Sequence, residues 1–164
     1  MRTFLTISLF VLTTAFACSS NKKTTKADAK QFYNVADTSV VMTISKTYCF
    51  GKCPVYDMKI MANGNVSLKA IDHLHIENGD YTSTISQATI ELLYNTALEI
   101  NYFSLDSIYT NEYIQDVPTT YTLLMNKDTK EIKRIENKWE APAELKTFEE
   151  KLHALVTQLQ WKAI

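Results

Sequence analysis

Cys49 and Cys53 are the residues of this chain best placed to do chemistry, and they frame the segment Cys49-Phe50-Gly51-Lys52-Cys53-Pro54. Fully extended, their Cα atoms would lie about 13 Å apart at about 3.3 Å per residue. A disulfide needs less than about 7 Å. Gly51 can supply the turn that closes the gap, and Pro54 imposes an extended exit. In an oxidising compartment the default state of such a pair is a structural disulfide, contributing about 2 kcal/mol for so short a ring. Two sharper chemistries also fit. A redox-active thiolate usually sits at a helix N-terminus or beside cations. Lys46 and Lys52 are near in sequence, but the flanking segments read as strands. Soft-metal binding would recruit His73 and His75, since two thiolates and two imidazoles can hold Cu(I) or Zn(II). The plainer reading of these histidines is a solvent-side pair beside Lys69. His153 falls off the main stripe of a closing helix and reads as exposed.

Other catalytic signatures are absent. No Gly-rich phosphate loop, G-x-S-x-G or H-E-x-x-H occurs in the sequence. Asp106, Glu112 and Asp116 could supply paired carboxylates, although turn and surface roles explain them more simply. The long stretch Leu105 to Thr119 carries Tyr109, Tyr113 and Asp116 and forms a candidate binding loop, because binding residues concentrate on loops held by a rigid scaffold. The competing reading lays both tyrosines on the core as a cover. No cofactor is implied.

The N-terminus sets an address. Met1-Arg2 is a short positive start, Phe4 to Leu12 is apolar apart from Thr6 and Ser8, and Ala15-Phe16-Ala17 precedes Cys18. This is the layout of a secretory signal, and the cysteine marks a lipoprotein signal. Residues 1–17 then form the signal peptide, and Cys18 is lipidated as the first mature residue, which makes a membrane the first partner. Ala15-x-Ala17 also fits plain secretion. A spanning helix needs about 20 apolar residues, so this segment is too short. Residues 18–39 read as a lipid-anchored flexible leash: Ser19 to Lys30 lacks large apolar residues and cannot bury enough surface to fold. Its lysines favour a periplasm-facing position at the outer membrane of the cell envelope.

Composition narrows the rest. The chain has 164 residues with 17 basic against 18 acidic side chains. A near-neutral balance argues against nucleic acid, which selects a basic surface. Nine Tyr and seven Phe suit strands, and only three Gly and three Pro argue for an ordered domain.

The elements that must position these residues follow from periodicity. Val40 to Thr47 alternates like a strand, as does Val55 to Met61, where Tyr56, Met58 and Ile60 share one face. Asn63-Gly64 is a strong hairpin signal, returning through a third strand over Val66 to Ile76. Ser86 caps a helix whose stripe is Ile90, Leu93, Tyr94, Ala97 and Leu98. Tyr121 to Met125 and Glu131 to Glu136 form a second hairpin. Pro142 opens a closing helix with the stripe Leu145, Phe148, Leu152, Leu155, Val156 and Leu159. The order β-β-β-α-β-β-α predicts an α+β two-layer sandwich over residues 40–164, with an antiparallel sheet of about five strands and two amphipathic helices.

Ile44-x-x-Thr47-x-Cys49-Phe50-Gly51-x-Cys53-Pro54-x-Tyr56 resembles the opening signature of an uncharacterised domain of Gram-negative envelope proteins, a domain of unknown function. Asn63-Gly64-x-Val66, Gly79-x-Tyr81, Asp116-x-Pro118 and Pro142-x-x-Leu145 are similar to its later pattern, from about Val40 to Leu159. Where that family usually places a glycine in the fourth-strand hairpin, this chain has Lys127-Asp128-Thr129-Lys130. The resemblance implies an exported single domain, often lipid-anchored, and carries no activity. The reading is therefore a non-enzymatic, lipid-anchored envelope module that binds an envelope protein or cell-wall component or serves structurally. The alternative is a thiol-redox or soft-metal protein centred on the Cys49/Cys53 turn.

Overall fold

The structure, a computed structural model, describes residues 39–164. The signal segment 1–17, Cys18 and the leash up to residue 38 lie outside the described residues. Ser39 is already tied to the domain, because its carbonyl accepts a 2.8 Å hydrogen bond from the amide of Ala62.

Eight strands and two helices follow: β1 Val40–Lys46, β2 Val55–Met61, β3 Asn65–Asp72, β4 Gly79–Thr84, α1 Gln87–Glu99, β5 Ile108–Tyr109, β6 Thr120–Met125, β7 Ile132–Asn137, α2 Ala143–Gln158 and β8 Lys162–Ala163. They form one sheet in the order β5-β7-β6-β1-β2-β3-β4-β8. All neighbours are antiparallel except β5 and β7, which run parallel. The expected two-layer sandwich on about five antiparallel strands is therefore incorrect. The protein is mostly sheet, a single eight-stranded mixed sheet with two helices.

The missing strands have a common cause. Gly79–Thr84 has no apolar alternation, so it reads as turn and linker, yet its backbone pairs with β3 from Asn65↔Thr84 to Ala70↔Gly79. β5 is a two-residue piece of the long loop laid along β7. β8 forms because Trp161 folds the chain end back, donating its indole N–H to the Val156 carbonyl at 2.9 Å, while the Ser83 hydroxyl donates to the Gln160 carbonyl at 2.8 Å. Backbone pairing of this kind needs a partner edge, not a side-chain pattern.

The stronger elements follow their patterns. A shift of register between Val40 and Met42 lets the consecutive Val41 and Met42 both be buried. At the β2–β3 hairpin Gly64 adopts φ +91°, and a Cβ there would lie 2.5 Å from the Ile85 carbonyl oxygen, so no other residue fits. The third strand stops at Asp72, not Ile76, because His73 turns the chain with φ 54°. In α1 the Ser86 hydroxyl accepts from the Thr89 amide at 3.1 Å, and Ile90, Leu93, Tyr94 and Ala97 are buried. Alternate strand residues Met42, Ile44, Met58, Ile60, Val66 and Leu68 join the stripes of both helices in one core, except that Leu98, expected on the α1 stripe, is exposed, and Leu159 only packs against the core's margin. On the other face Thr43, Ser45, Asp57, Lys59, Ser67 and Lys69 remain partly or fully exposed. Among the described residues no helix is long and apolar enough to cross a membrane.

Candidate functional site

The chemistry collects at the end of the sheet where β1 leaves for the cysteine turn. Strand register places Asn137, Thr120, Lys46 and Tyr56 in one cross-strand row on the helix-bearing face. Helix α2 passes over that row. Its stripe residues Leu145 and Leu152 face the core, and position 149, four after one and three before the other, must follow them. Glu149 is consequently only 5% exposed. Its Oε2 accepts a 2.7 Å hydrogen bond from the Asn137 side-chain amide, while its Oε1 is buried with no hydrogen-bond partner. Burial pushes the Glu149 carboxyl up to about 7 from an ordinary 4.5; the Asn137 hydrogen bond and the charges of Lys46 and Lys146 hold it lower, and Glu150 raises it. A carboxyl so placed exchanges its proton near neutrality, the condition for proton-linked binding or acid–base work.

One turn further along α2, His153 Nδ1 and the Tyr56 hydroxyl share a 2.7 Å hydrogen bond, and the two rings stack at 5.5 Å between centroids. Burial, and then the nearby Lys46 ammonium, push the His153 imidazole below its usual range. Burial, reinforced by the charge of Glu149, pushes the Tyr56 phenol up. The sequence expectation of an exposed His153 is thus corrected. It sits at the margin of the apolar stripe, half-buried against a core tyrosine. A cavity of about 360 Å³ opens beside Glu149, with Lys46, Lys146, Trp139, Val117 and Pro118 among its walls.

The cysteine turn lies at the same end. Cys49 and Cys53 form a disulfide with Cα atoms 5.9 Å apart. The turn closes without a left-handed Gly51, since the only glycines with positive φ among the described residues are Gly64 and Gly79. The structure joins the turn to the distant loop: the Phe50 amide donates to the Asp116 carbonyl at 3.0 Å, and the Thr47 amide to the Thr119 carbonyl at 3.1 Å. The Thr47 hydroxyl accepts from the Thr119 amide at 2.9 Å. Asp116 takes φ 61° to make that approach. The two loop tyrosines separate. Tyr109 packs against the core and its hydroxyl accepts from the Asp106 amide at 3.0 Å, whereas Tyr113 stands 84% exposed. His73 faces Asp72, with Nδ1 3.4 Å from the carboxylate, and His75 is exposed. Among the described residues no group of three or more His, Cys, Asp or Glu side chains converges as a metal site.

Residues 40–156 match the family described as a domain of unknown function, DUF6438. The chain belongs to this family. The DUF6438 match takes in the cysteine turn, the long loop and Glu149, so every group described above lies within it. No curated protein matches the chain.

Glu149 and Asn137 escaped the reading of the sequence, and Lys46 entered it only as a cation near the cysteines. A signal was present: a glutamate on the buried stripe of a helix, at a position that periodicity assigns to the core. Asn137 and Lys46 gave none, because each is an ordinary strand-end polar residue until the register aligns them.

Proposed function

We propose that this protein is a non-enzymatic, lipid-anchored module of the cell envelope, which docks an envelope protein on the disulfide-stapled end of its sheet. The observation that carries this reading is the exposure of aromatic side chains on the two segments bonded together there. Phe50 is 89% exposed at the tip of the ring, Tyr48 60% and Tyr113 84%. Aromatic side chains supply much contact area for few rotatable bonds and dominate protein interfaces. Here the disulfide and the Phe50–Asp116 bond hold their backbone, so little ordering entropy remains to be lost on docking. The lipid on Cys18 and the leash to residue 39 belong to the same proposal, supported by the signal-like N-terminus.

The test is crosslinking recovery from intact envelopes, comparing the natural chain with a double Phe50→Ser, Tyr113→Ser variant. Loss of a discrete crosslinked protein, with an unchanged melting temperature, supports the docking surface. Recovery of the same protein at the same yield refutes it. Sedimentation with purified cell wall, sensitive to the same variant, would replace the protein partner by a cell-wall polymer.

A further inference from the structure

We propose that the sheet face turned away from the helices is a self-association surface, on which a second copy of this chain packs about a twofold axis lying across the strands. The inference does not depend on the docking surface at the disulfide end. It begins with two neighbouring cross-strand rows on the open face. Strand register sets Glu136, Tyr121, Ser45, Asp57, Lys69 and Asp80 in one row, and Arg134, Leu123, Thr43, Lys59, Ser67 and Thr82 in the next. The first row carries three acids and one base; the second carries two bases and no acid. Among the described residues no helix covers them, and Asp57, Lys59, Arg134 and Glu136 are in no ion pair. Apolar surface lies with them. Tyr121 is 42% exposed, and Ile108, which extends the first row beside Glu136, is 61% exposed.

Symmetry turns this pattern into charge complementarity. In an isologous pair each contact occurs twice, because both copies offer the same patch. A twofold running midway between the two rows keeps every strand over its own counterpart and exchanges the rows. Asp57 then faces Lys59 of the second copy, Glu136 faces Arg134, and Tyr121 lies over Leu123. Lys69 and Asp80 meet Ser67 and Thr82, so no like charges are opposed. A twofold along the strands at the middle of the sheet would instead set Glu136 against Asp80 of the second copy. Charge therefore selects the first arrangement. Sheets stack about 10 Å apart, a gap that Lys and Arg side chains can cross. The short side chains of Thr43, Ser45 and Ser67 leave two shallow depressions, of about 790 and 490 Å³, which between them take in every row residue but Thr82. Eight strands about 4.8 Å apart and about 20 Å long present a face about 30 Å across. Side-chain relief brings its flat area of about 600 Å² toward the about 800 Å² that each partner buries in a standard interface.

Sedimentation equilibrium of the full chain in density-matched detergent tests the proposal. Measuring at several detergent concentrations removes chance sharing of a micelle. The natural chain should give the mass of two copies, with an association that weakens as salt screens the pairs. Two variants oppose like charges at all four pairs: Lys59→Glu with Arg134→Glu, and Asp57→Lys with Glu136→Lys. Each should weaken self-association by about a hundredfold or more. Mixed together they restore an attractive pair at all four places, so the mixture should form a heterodimer within about tenfold of the natural affinity. A merely structural role for these side chains gives no such rescue. Matched circular dichroism melts check folding, and a variant that misfolds is replaced by Lys59→Glu or Asp57→Lys alone, for which the same rescue is expected. A natural chain that stays monomeric at about 1 mM would overturn the proposal, whether residues 1–38 or another protein then fill the face. So would variants that self-associate like the natural chain, or a mixture no tighter than either variant alone.

Discussion

Two cross-strand rows lie two residues apart on the same face of the same strands and are built in opposite ways. The outer row reads Asn137, Thr120, Lys46, Tyr56 and Ala70; the inner row reads Ile135, Thr122, Ile44, Met58 and Leu68. The inner row is fully buried, and its one polar member, Thr122, is satisfied by the Tyr102 hydroxyl at 2.7 Å. The outer row meets Glu149 and His153 from α2 and leaves a buried carboxylate oxygen without a partner. Moving about 7 Å along the strands thus takes the molecule from a core that stabilises to a core that costs stability. Buried unsatisfied polar groups oppose folding, and sites held against that cost are where function concentrates.

The largest effect expected from this contrast is in the inner row. Ile44→Ala should destabilise the domain by about 2–5 kcal/mol, the usual range for a large-to-small change in a packed core. Urea unfolding checks it, and a cost below about 1 kcal/mol would mean that the inner row is not the stabilising one.

The outer row should declare itself through pH. Glu149 titrates at about 7 in the folded protein against 4.5 when unperturbed. The native state therefore holds the proton more tightly than the unfolded state. The contribution of this group to stability is greatest below pH 4.5, falls as pH rises from 4.5 through 7, and levels off above, for a loss of about 3 kcal/mol, while the depressed His153 imidazole contributes with the opposite sign on acidification. In Glu149→Gln the melting temperature should lose this slope and match the natural protein at its acidic end. A natural protein equally stable at pH 5 and pH 8 would remove the contrast between the rows.

The smallest expected effect lies beyond the outer row, in the disulfide. Reduction of Cys49–Cys53 should lower stability by about 2 kcal/mol against a typical total of about 5–15 kcal/mol. The melting temperature should fall by about 5–10 °C, with the domain still folded at room temperature by circular dichroism. Unfolding on reduction would show that the cysteine end carries more of the stability than its polar row implies.

Much of the scaffold was legible. The alternation at Met42, Ile44, Met58 and Ile60 and the stripes of both helices are statements about period, and period survives into the core. The close spacing of Cys49 and Cys53 limited their geometry to a turn. The edge strands were illegible for the opposite reason. Gly79–Thr84, Ile108–Tyr109 and Lys162–Ala163 pair through backbone groups that every residue has, so their side chains need show no pattern. The candidate site was half-legible. The glutamate in the apolar stripe of α2 could be read, but its partners could not.

The sequence by itself determined roughly where five of the strands and both helices begin, which face of each of these is apolar, that a five-residue ring can close at Cys49–Cys53, and that Asn63-Gly64 must turn. These are local matters of dihedral preference and of side-chain period. Only the tertiary structure decided that Asn137 meets Glu149, that Asp116 meets Phe50, and that Tyr56 meets His153 across 97 residues of chain. Desolvation is the physical reason. The proton affinity of Glu149 depends on how many neighbours exclude water from it, and those neighbours come from several separate elements that are brought together only when the sheet and α2 close on one another.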